Sequence, residues 1–381
     1  MVFLLTKISF AEGKYRHHRE VCDRGQDEIR CHSKVITDEK GKPTVTSAPT
    51  GLGPAQLRGA YLASGSATTP TNQTIAIVDA YDQPNILSDL NTYSSYYNIP
   101  TLSSCPVASG TTTKPCFQKV NQSGGSVYPR TNSGWALEIA LDVEIAHAMC
   151  KNCNILLVEA RSASYSDLMT AVDRAVAMGA KVISNSYGSN EFSFETGYDY
   201  HFNKPGIAFT FSSGDSGYGT SYPAASRYVT AVGGTTLNLN SNSYVNESVW
   251  SGAGSGCSLY EAKPSWQTDT GCSKRTIADV AADADPNTGA AVYDSVGYYG
   301  YKGWLQVGGT SLASPIVAAV YALAGVPSAT MVGSLPYGNV ASLHDVTAGA
   351  NGSCSPAYLC TGVVGFDGPS GLGSPNGTTA F

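Results

Sequence analysis

A chain of 381 residues with 42% hydrophobic content is long enough to bury one large domain, and its net charge of −6 gives no footprint for a nucleic acid. Charged side chains make up only 14%, against roughly 25% in an average soluble domain, and no run of 18 apolar residues offers a membrane span. Ten cysteines fall into five local pairs, Cys22/Cys31, Cys105/Cys116, Cys150/Cys153, Cys257/Cys272 and Cys354/Cys360, which predicts loop-pinning disulfides in an oxidising, extracellular compartment.

Residues 1–43 hold 16 of the 52 Asp, Glu, Lys and Arg residues, together with His17, His18 and His32. That density predicts a solvated extension outside the core; the alternative is a metal site on Cys22, Cys31 and the histidines. The apolar stretch at 1–5 is too short for a signal-peptide core. Residues 44–71, rich in Thr, Ser, Pro and Gly, read as a linker with a short helix near 54–62. This gives an extension at 1–51 and a domain at 52–381.

Residues 74–79 read as a buried strand, and a polar segment with the Cys105/Cys116 loop follows. Residues 135–148 have helical periodicity, 154–158 read as a strand, and 166–180 as a helix started by Ser166 and Asp167. Cys150-Lys151-Asn152-Cys153 has redox-motif spacing but follows a helix instead of opening one, so a structural bridge is expected. Strands at 181–184, 207–211 and 228–232 precede a long helix from 311 to about 324. The alternation predicts an α/β fold whose parallel sheet is covered on both faces, with the site at the carboxyl ends of its strands. Asp79 and the 212–217 loop both lie at such ends.

Gly308-Gly309-Thr310-Ser311, followed by Pro315 and an apolar helix, is the strongest local signal. A Ser at a helix N-terminus can be a nucleophile beside oxyanion-stabilising N–H groups, or simply a cap. Pro315 is expected in the first turn. A nucleophile needs a base, and His147, His201 and His344 lie in no recognisable setting for one; His147 points away from Glu138 on its helix. The same helix offers Glu138 and Asp142 at i, i+4, on one face. Their proximity would raise one pKa, leaving a shared proton and a base that works in acid, and apolar neighbours suggest a largely buried helix; the alternative is a solvated acidic face including Glu144. Ser213-Gly214-Asp215 follows a strand, where a protonated Asp215 could donate to an oxyanion or merely shape a turn.

These three segments, in this order, resemble the sedolisin family of serine-carboxyl peptidases. The helix with Glu138 and Asp142, the Ser213-Gly214-Asp215 segment and the stretch from Gly309 to Pro315 carry the resemblance, with further likeness at 53–58, 232–235 and 282–286. It covers about residues 52–381 and implies a subtilisin-like three-layer fold with a Glu/Asp/Ser triad. It also implies one structural Ca2+, with side chains from Asp345 and Asp367 and carbonyl oxygens from Val346, Val363 and Gly365. Family members usually carry a long folded prodomain, for which 51 residues are too few. Tyr187 stands where some members have Trp, and Asp79 matches an acid that extends the carboxyl network in some.

The expected activity is hydrolysis of protein or peptide substrates outside the cell, by a monomer with no nucleic-acid or membrane partner. Ser311 would attack, Glu138 act as base and acid, Asp142 share its proton, and Asp215 hold the oxyanion. Two rivals are a neutral, His-dependent subtilisin-like peptidase using Asp79, and a catalytically silent peptide-binding protein on the same scaffold.

Overall fold

Nine strands form the central sheet of a computed structural model that describes residues 17–22, 29–62, 73–105 and 115–381. The expectations for 1–5 and for part of the linker lie outside the described residues. The sheet runs Ser243–Val249, Thr230–Asn240, Ala208–Ser212, Val182–Asn185, Thr74–Ala80, Asn154–Ala160, Cys116–Asn121 and Ser103–Ser104, with Val280–Asp283 paired to Thr230–Asn240. Every pairing is parallel except that of Ser243–Val249. Thr74–Ala80 is fully buried from Ile75 onward, as the continuous apolar run requires of a strand covered on both faces. The fold is α/β with a mostly parallel sheet, as expected.

Five helices matter for the site: α1 (Pro54–Tyr61), α2 (Ile86–Tyr96), α3 (Ser133–Met149), α4 (Tyr165–Ala177) and α5 (Thr310–Ala324). Helices α3 and α5 lie against each other, α5 over the Ala208–Ser212 and Val182–Asn185 strands, while α4 packs on Asn154–Ala160 and Thr74–Ala80. Both α3 and α5 are buried nearly all round, the mark of helices inside a core. Asn132 caps α3, its side chain accepting from the Gly134 and Trp135 N–H groups. The cap of α4 is Ser164, not Ser166, because Ser164 accepts from the Asp167 N–H at 3.3 Å.

The polar stretch after Thr74–Ala80 contains α2 and the Cys116–Asn121 strand, where only a loop was expected. The helix buries Ile86, Leu90 and Tyr93 at helical spacing, and the strand lies between Asn154–Ala160 and Ser103–Ser104; polar residues between and around these positions mask both in the sequence. Among the described residues no helix is long and apolar enough to cross a membrane.

The charged N-terminal segment departs most from expectation. Val21, Ile29, Cys31, Val35 and Ile36 are buried, and Lys34–Thr37 pairs antiparallel with both His17–Glu20 and the Tyr301–Gly308 strand. The charges flank this strand while the apolar pair Val35 and Ile36 fills the core, so charge density misreads it. All five cysteine pairs are disulfides, so Cys22 and Cys31 are bonded to each other and the metal alternative falls.

Arg275 and Asp279, each 1% exposed, form a buried pair that ties residues 275–279 to the segment 226–231. Arg275 also donates to the Ser226, Val229 and Thr276 carbonyls, and Asp279 accepts the Ala231 N–H at 2.7 Å. Removing one partner of such a pair strands a buried charge. Arg275→Met is expected to cost about 3–5 kcal/mol, read from the urea midpoint; a loss below about 1 kcal/mol would show that solvent reaches the pair.

Candidate active site

Ser311 sits at the second position of α5, after Gly309 at φ +100°. A side chain at Gly309 would meet the His32 carbonyl oxygen at 2.3 Å and Asp215 Oδ2 at 2.5 Å, so only glycine leaves this space open. Pro315 is the sixth helical residue, not part of the first turn. Proline cannot donate to the Ser311 carbonyl, which accepts from the Ser186 hydroxyl at 3.3 Å instead. Hydroxyls of Ser184 and Thr210 meet Ser314, tying the front of α5 to the ends of two central strands. The Ser311 hydroxyl donates to the Ser186 carbonyl at 3.1 Å, and its N–H donates to the His32 carbonyl at 2.9 Å.

Asp215 follows the Ala208–Ser212 strand and is buried. Its Oδ1 accepts from the Thr310 N–H and hydroxyl, both at 2.8 Å, and the Thr310 hydroxyl accepts the Gly214 N–H. With Oδ1 committed to two donors, Oδ2 is left without a partner among the described residues and faces the space in front of Gly309. Burial raises Asp215 to about 6, against the pull of Lys34, Thr310 and Arg30. Thr310 is therefore a positioning residue that the sequence reading passed over, though it stands beside Ser311 in the motif.

Glu138 and Asp142 are buried on α3. Glu138 Oε2 accepts from the Ser33 hydroxyl, while Oε1 and both Asp142 oxygens lack partners among the described residues. Burial raises Glu138 well above the carboxylate range and Asp142 adds to the rise, opposed by the Ser311 and Ser33 hydroxyls. Asp142 is likewise raised by burial, against the Ser186 hydroxyl. Asp79 joins them, raised by burial, then by Asp142 and Glu138. The Tyr187 hydroxyl donates to Asn185 at 2.8 Å, and its ring lies against Trp135 of α3. Glu144 is no part of a solvated face; it is buried and accepts the Tyr293 N–H at 2.9 Å.

The histidines of the neutral alternative lie elsewhere. His147 donates from Nε2 to the Pro100 carbonyl at 2.7 Å, and burial lowers it to about 4. His201 pairs with Asp173, and His344 stacks on Tyr244. His32 does enter the site, but its ring meets the Ser212 hydroxyl at 2.8 Å. The sequence reading missed this residue by assigning its segment to solvent.

At the C-terminal end, Asp345 accepts the Gly365 N–H at 3.0 Å, and buried Asp367 accepts from Val363 and Ser370. Burial raises Asp367 to about 7, with Asp345 adding to the rise. Two carboxyls brought together at a loop pair, one of them buried, fit a hard cation. Among the described residues no three His, Cys, Asp or Glu side chains converge, so the remaining ligands there would be backbone carbonyls.

The subtilase family's sequence profile matches residues 121–330. The chain is 29% identical to sedolisin from Pseudomonas sp. (strain 101), covering 92% of this chain and 64% of that protein. It is 29% identical to xanthomonalisin from Xanthomonas sp. (strain T-22) over 83% of this chain and 44% of that one. The chain thus spans less than two thirds of these relatives' length. A solved structure of Pseudomonas sedolisin, a serine-carboxyl proteinase complexed with two molecules of pseudo-iodotyrostatin, superposes with a TM-score of 0.69 at 28% identity, covering 87% of this chain and 96% of that one. Sphericase, at 18% identity and a TM-score of 0.52, shares the fold.

The buried acids make a sign prediction for stability. Asp215 at about 6 and Glu159 at about 8 bind protons more tightly folded than unfolded. Their contribution is complete below the unfolded value near 4 and is lost as pH rises through the folded values. A Ser311→Ala chain should therefore melt highest in acid, with Asp215 alone contributing a fall of about 3 kcal/mol on the way to neutrality. A calorimetric melting temperature that rises from acid to neutral pH would contradict this.

Proposed function

The chain belongs to the subtilase family, in its sedolisin branch, and we propose that it is an acid-acting serine-carboxyl peptidase that hydrolyses protein or peptide substrates outside the cell. The observation that carries this reading is the environment of Ser311. It stands at a helix N-terminus beside buried carboxyls, while the rings of His32, His147, His201 and His344 are engaged elsewhere. The five disulfides support an oxidising compartment.

In the proposed reaction, Glu138 takes the proton of the Ser311 hydroxyl as it attacks a peptide carbonyl. The Ser311 N–H and the protonated Oδ2 of Asp215 receive the oxyanion, a neutral carboxylic acid serving as donor because burial holds its proton. Glu138 returns the proton to the leaving amine, and water hydrolyses the acyl-enzyme. Asp142 shares the proton of Glu138, and Asp79 extends the network so that the three acids do not ionise together. A calcium ion would be held by Asp345 and Asp367 with the carbonyls of Val346, Val363 and Gly365, where it would cross-link the C-terminal loops.

Hydrolysis of a denatured protein should fall as pH rises through about 6, where Asp215 ionises and repels the oxyanion. Asp215→Ala should lose about 100- to 1000-fold in kcat, and Glu138→Gln and Ser311→Ala should be inactive. Full activity of Glu138→Gln at neutral pH would favour the histidine-driven peptidase, and peptide binding without cleavage at any pH would favour the silent binding protein. For the calcium site, a chelator should lower the melting temperature of the wild type but not of Asp367→Asn; equal effects on both would remove the ion from Asp367.

A further inference from the structure

An amine and two carboxyls meet at the ends of three adjacent strands. Lys119 stands on Cys116–Asn121, Glu159 on the neighbouring Asn154–Ala160, and Asp82 in the turn after Thr74–Ala80 on the other side. Lys119 Nζ lies 2.5 Å from Asp82 Oδ1 and 3.4 Å from Glu159 Oε1, and it donates to the Gln83 carbonyl at 3.0 Å. The Lys119 and Asp82 side chains are each 11% exposed and that of Glu159 is 0%. Tyr128 covers the amine, its ring centroid 4.1 Å from Nζ. Glu159 Oε1 accepts the Gln83 N–H at 3.1 Å, while Oε2 has no donor among the described residues. Glu159 hydrogen-bonds Asp82 carboxyl to carboxyl, which requires a proton between them, and burial above all raises Glu159 to about 8.

We propose that Lys119 and Asp82 condense into an amide, an intramolecular cross-link whose formation Glu159 assists by passing protons. The inference does not depend on the peptidase reading. The Lys119 ammonium first gives a proton to the Asp82 carboxylate, leaving an amine beside a carboxylic acid, the uncharged form that a water-poor site favours. The nitrogen adds to Asp82 Cγ as Glu159 gives its proton to the carbonyl oxygen. Glu159 then carries the nitrogen's proton to one hydroxyl, the carbon–oxygen bond breaks and water leaves. The proton of the other hydroxyl returns to Glu159. One ammonium and one carboxylate thus become one amide and one water, with no oxidant or cofactor consumed.

Two physical terms favour the bond. Well-oriented groups within one molecule react at effective molarities on the order of 10⁵–10⁸ M, and an amide removes two charges that are costly to keep out of water. An ion pair is also lost when its carboxylate takes up a proton in acid, whereas an amide is not. The cross-link would close residues 82–119 into a ring and tie two strands across Asn154–Ala160. Asp79 lies three residues before Asp82 and pairs in register with Glu159, so the bond braces the strand end that brings Asp79 to Glu138 and Asp142.

The test is intact mass and a tryptic map of the full chain, purified at neutral pH and unfolded with its disulfides reduced. The wild type should be lighter than its sequence by one water, and trypsin should leave residues 59–130 as one peptide, since Lys114 precedes a proline and Lys119 is acylated. A free Lys119 would be cut, giving 59–119 and 120–130 instead. Lys119→Arg and Asp82→Ala should have their full sequence mass, and Glu159→Gln should keep most of its Lys119 free. A wild-type chain of full mass, cut after Lys119, overturns the cross-link, and this measurement decides even where a variant fails to fold. A missing water that persists in Lys119→Arg lies elsewhere and overturns it as well. Complete cross-linking in Glu159→Gln overturns the proton-passing role of Glu159.

Discussion

Three carboxyl groups buried without a basic partner set the terms for the rest of this molecule. Asp79, Glu138 and Asp142 are each 0% exposed, and five of their six oxygens lack a partner among the described residues. Ionising one in that setting costs several kcal/mol, and ionising two adds their repulsion. The group therefore keeps protons well above the ordinary carboxylate range. A rigid surround is needed to maintain this, since a mobile one would admit water and relieve it. The surround is α3 and α5, buried nearly all round, with hydroxyls of Ser33, Ser186 and Ser311 as the polar contacts that temper the acids.

The same constraint accounts for Asp215. Thr310 spends both its N–H and its hydroxyl on Oδ1, and burial holds the proton. The carboxyl so prepared is a donor in acid and an anion near neutrality. Burial thus acts on carboxyls of two different elements in one direction, holding protons on the Glu138–Asp142–Asp79 group of α3 and its neighbouring strand and on Asp215 beyond the Ala208–Ser212 strand.

The sequence made much of this readable because the strongest patterns are local. Spacing alone places Glu138 and Asp142 on one face, and an apolar run following Gly309-Thr310-Ser311 marks a helix with its N-terminus at a glycine. Long periodic elements such as α3 and α5 were legible for the same reason. What local pattern cannot carry is tertiary placement. Nothing near Asp79 says that it will meet Glu138, and in α2 and Cys116–Asn121 the buried positions are interleaved with polar residues that mask them. The N-terminal segment was misread because charge was averaged over a window, while the fold uses the apolar pair Val35 and Ile36 between charged neighbours.

That misreading explains why the segment matters. A strand with charges at its flanks and apolar residues at its centre is only marginally committed to a core, since its ends remain favourable in water. Here its burial comes from edges it did not make: Tyr187 and Gly188 on one side, and Val307 and Gly308 on the other. Those edges end at Ser186 and Gly309, where the backbone donors and acceptors of the site begin. Pairing on both edges fixes the register of residues 30–35 at Ser311 through the main chain, whichever side chains they carry.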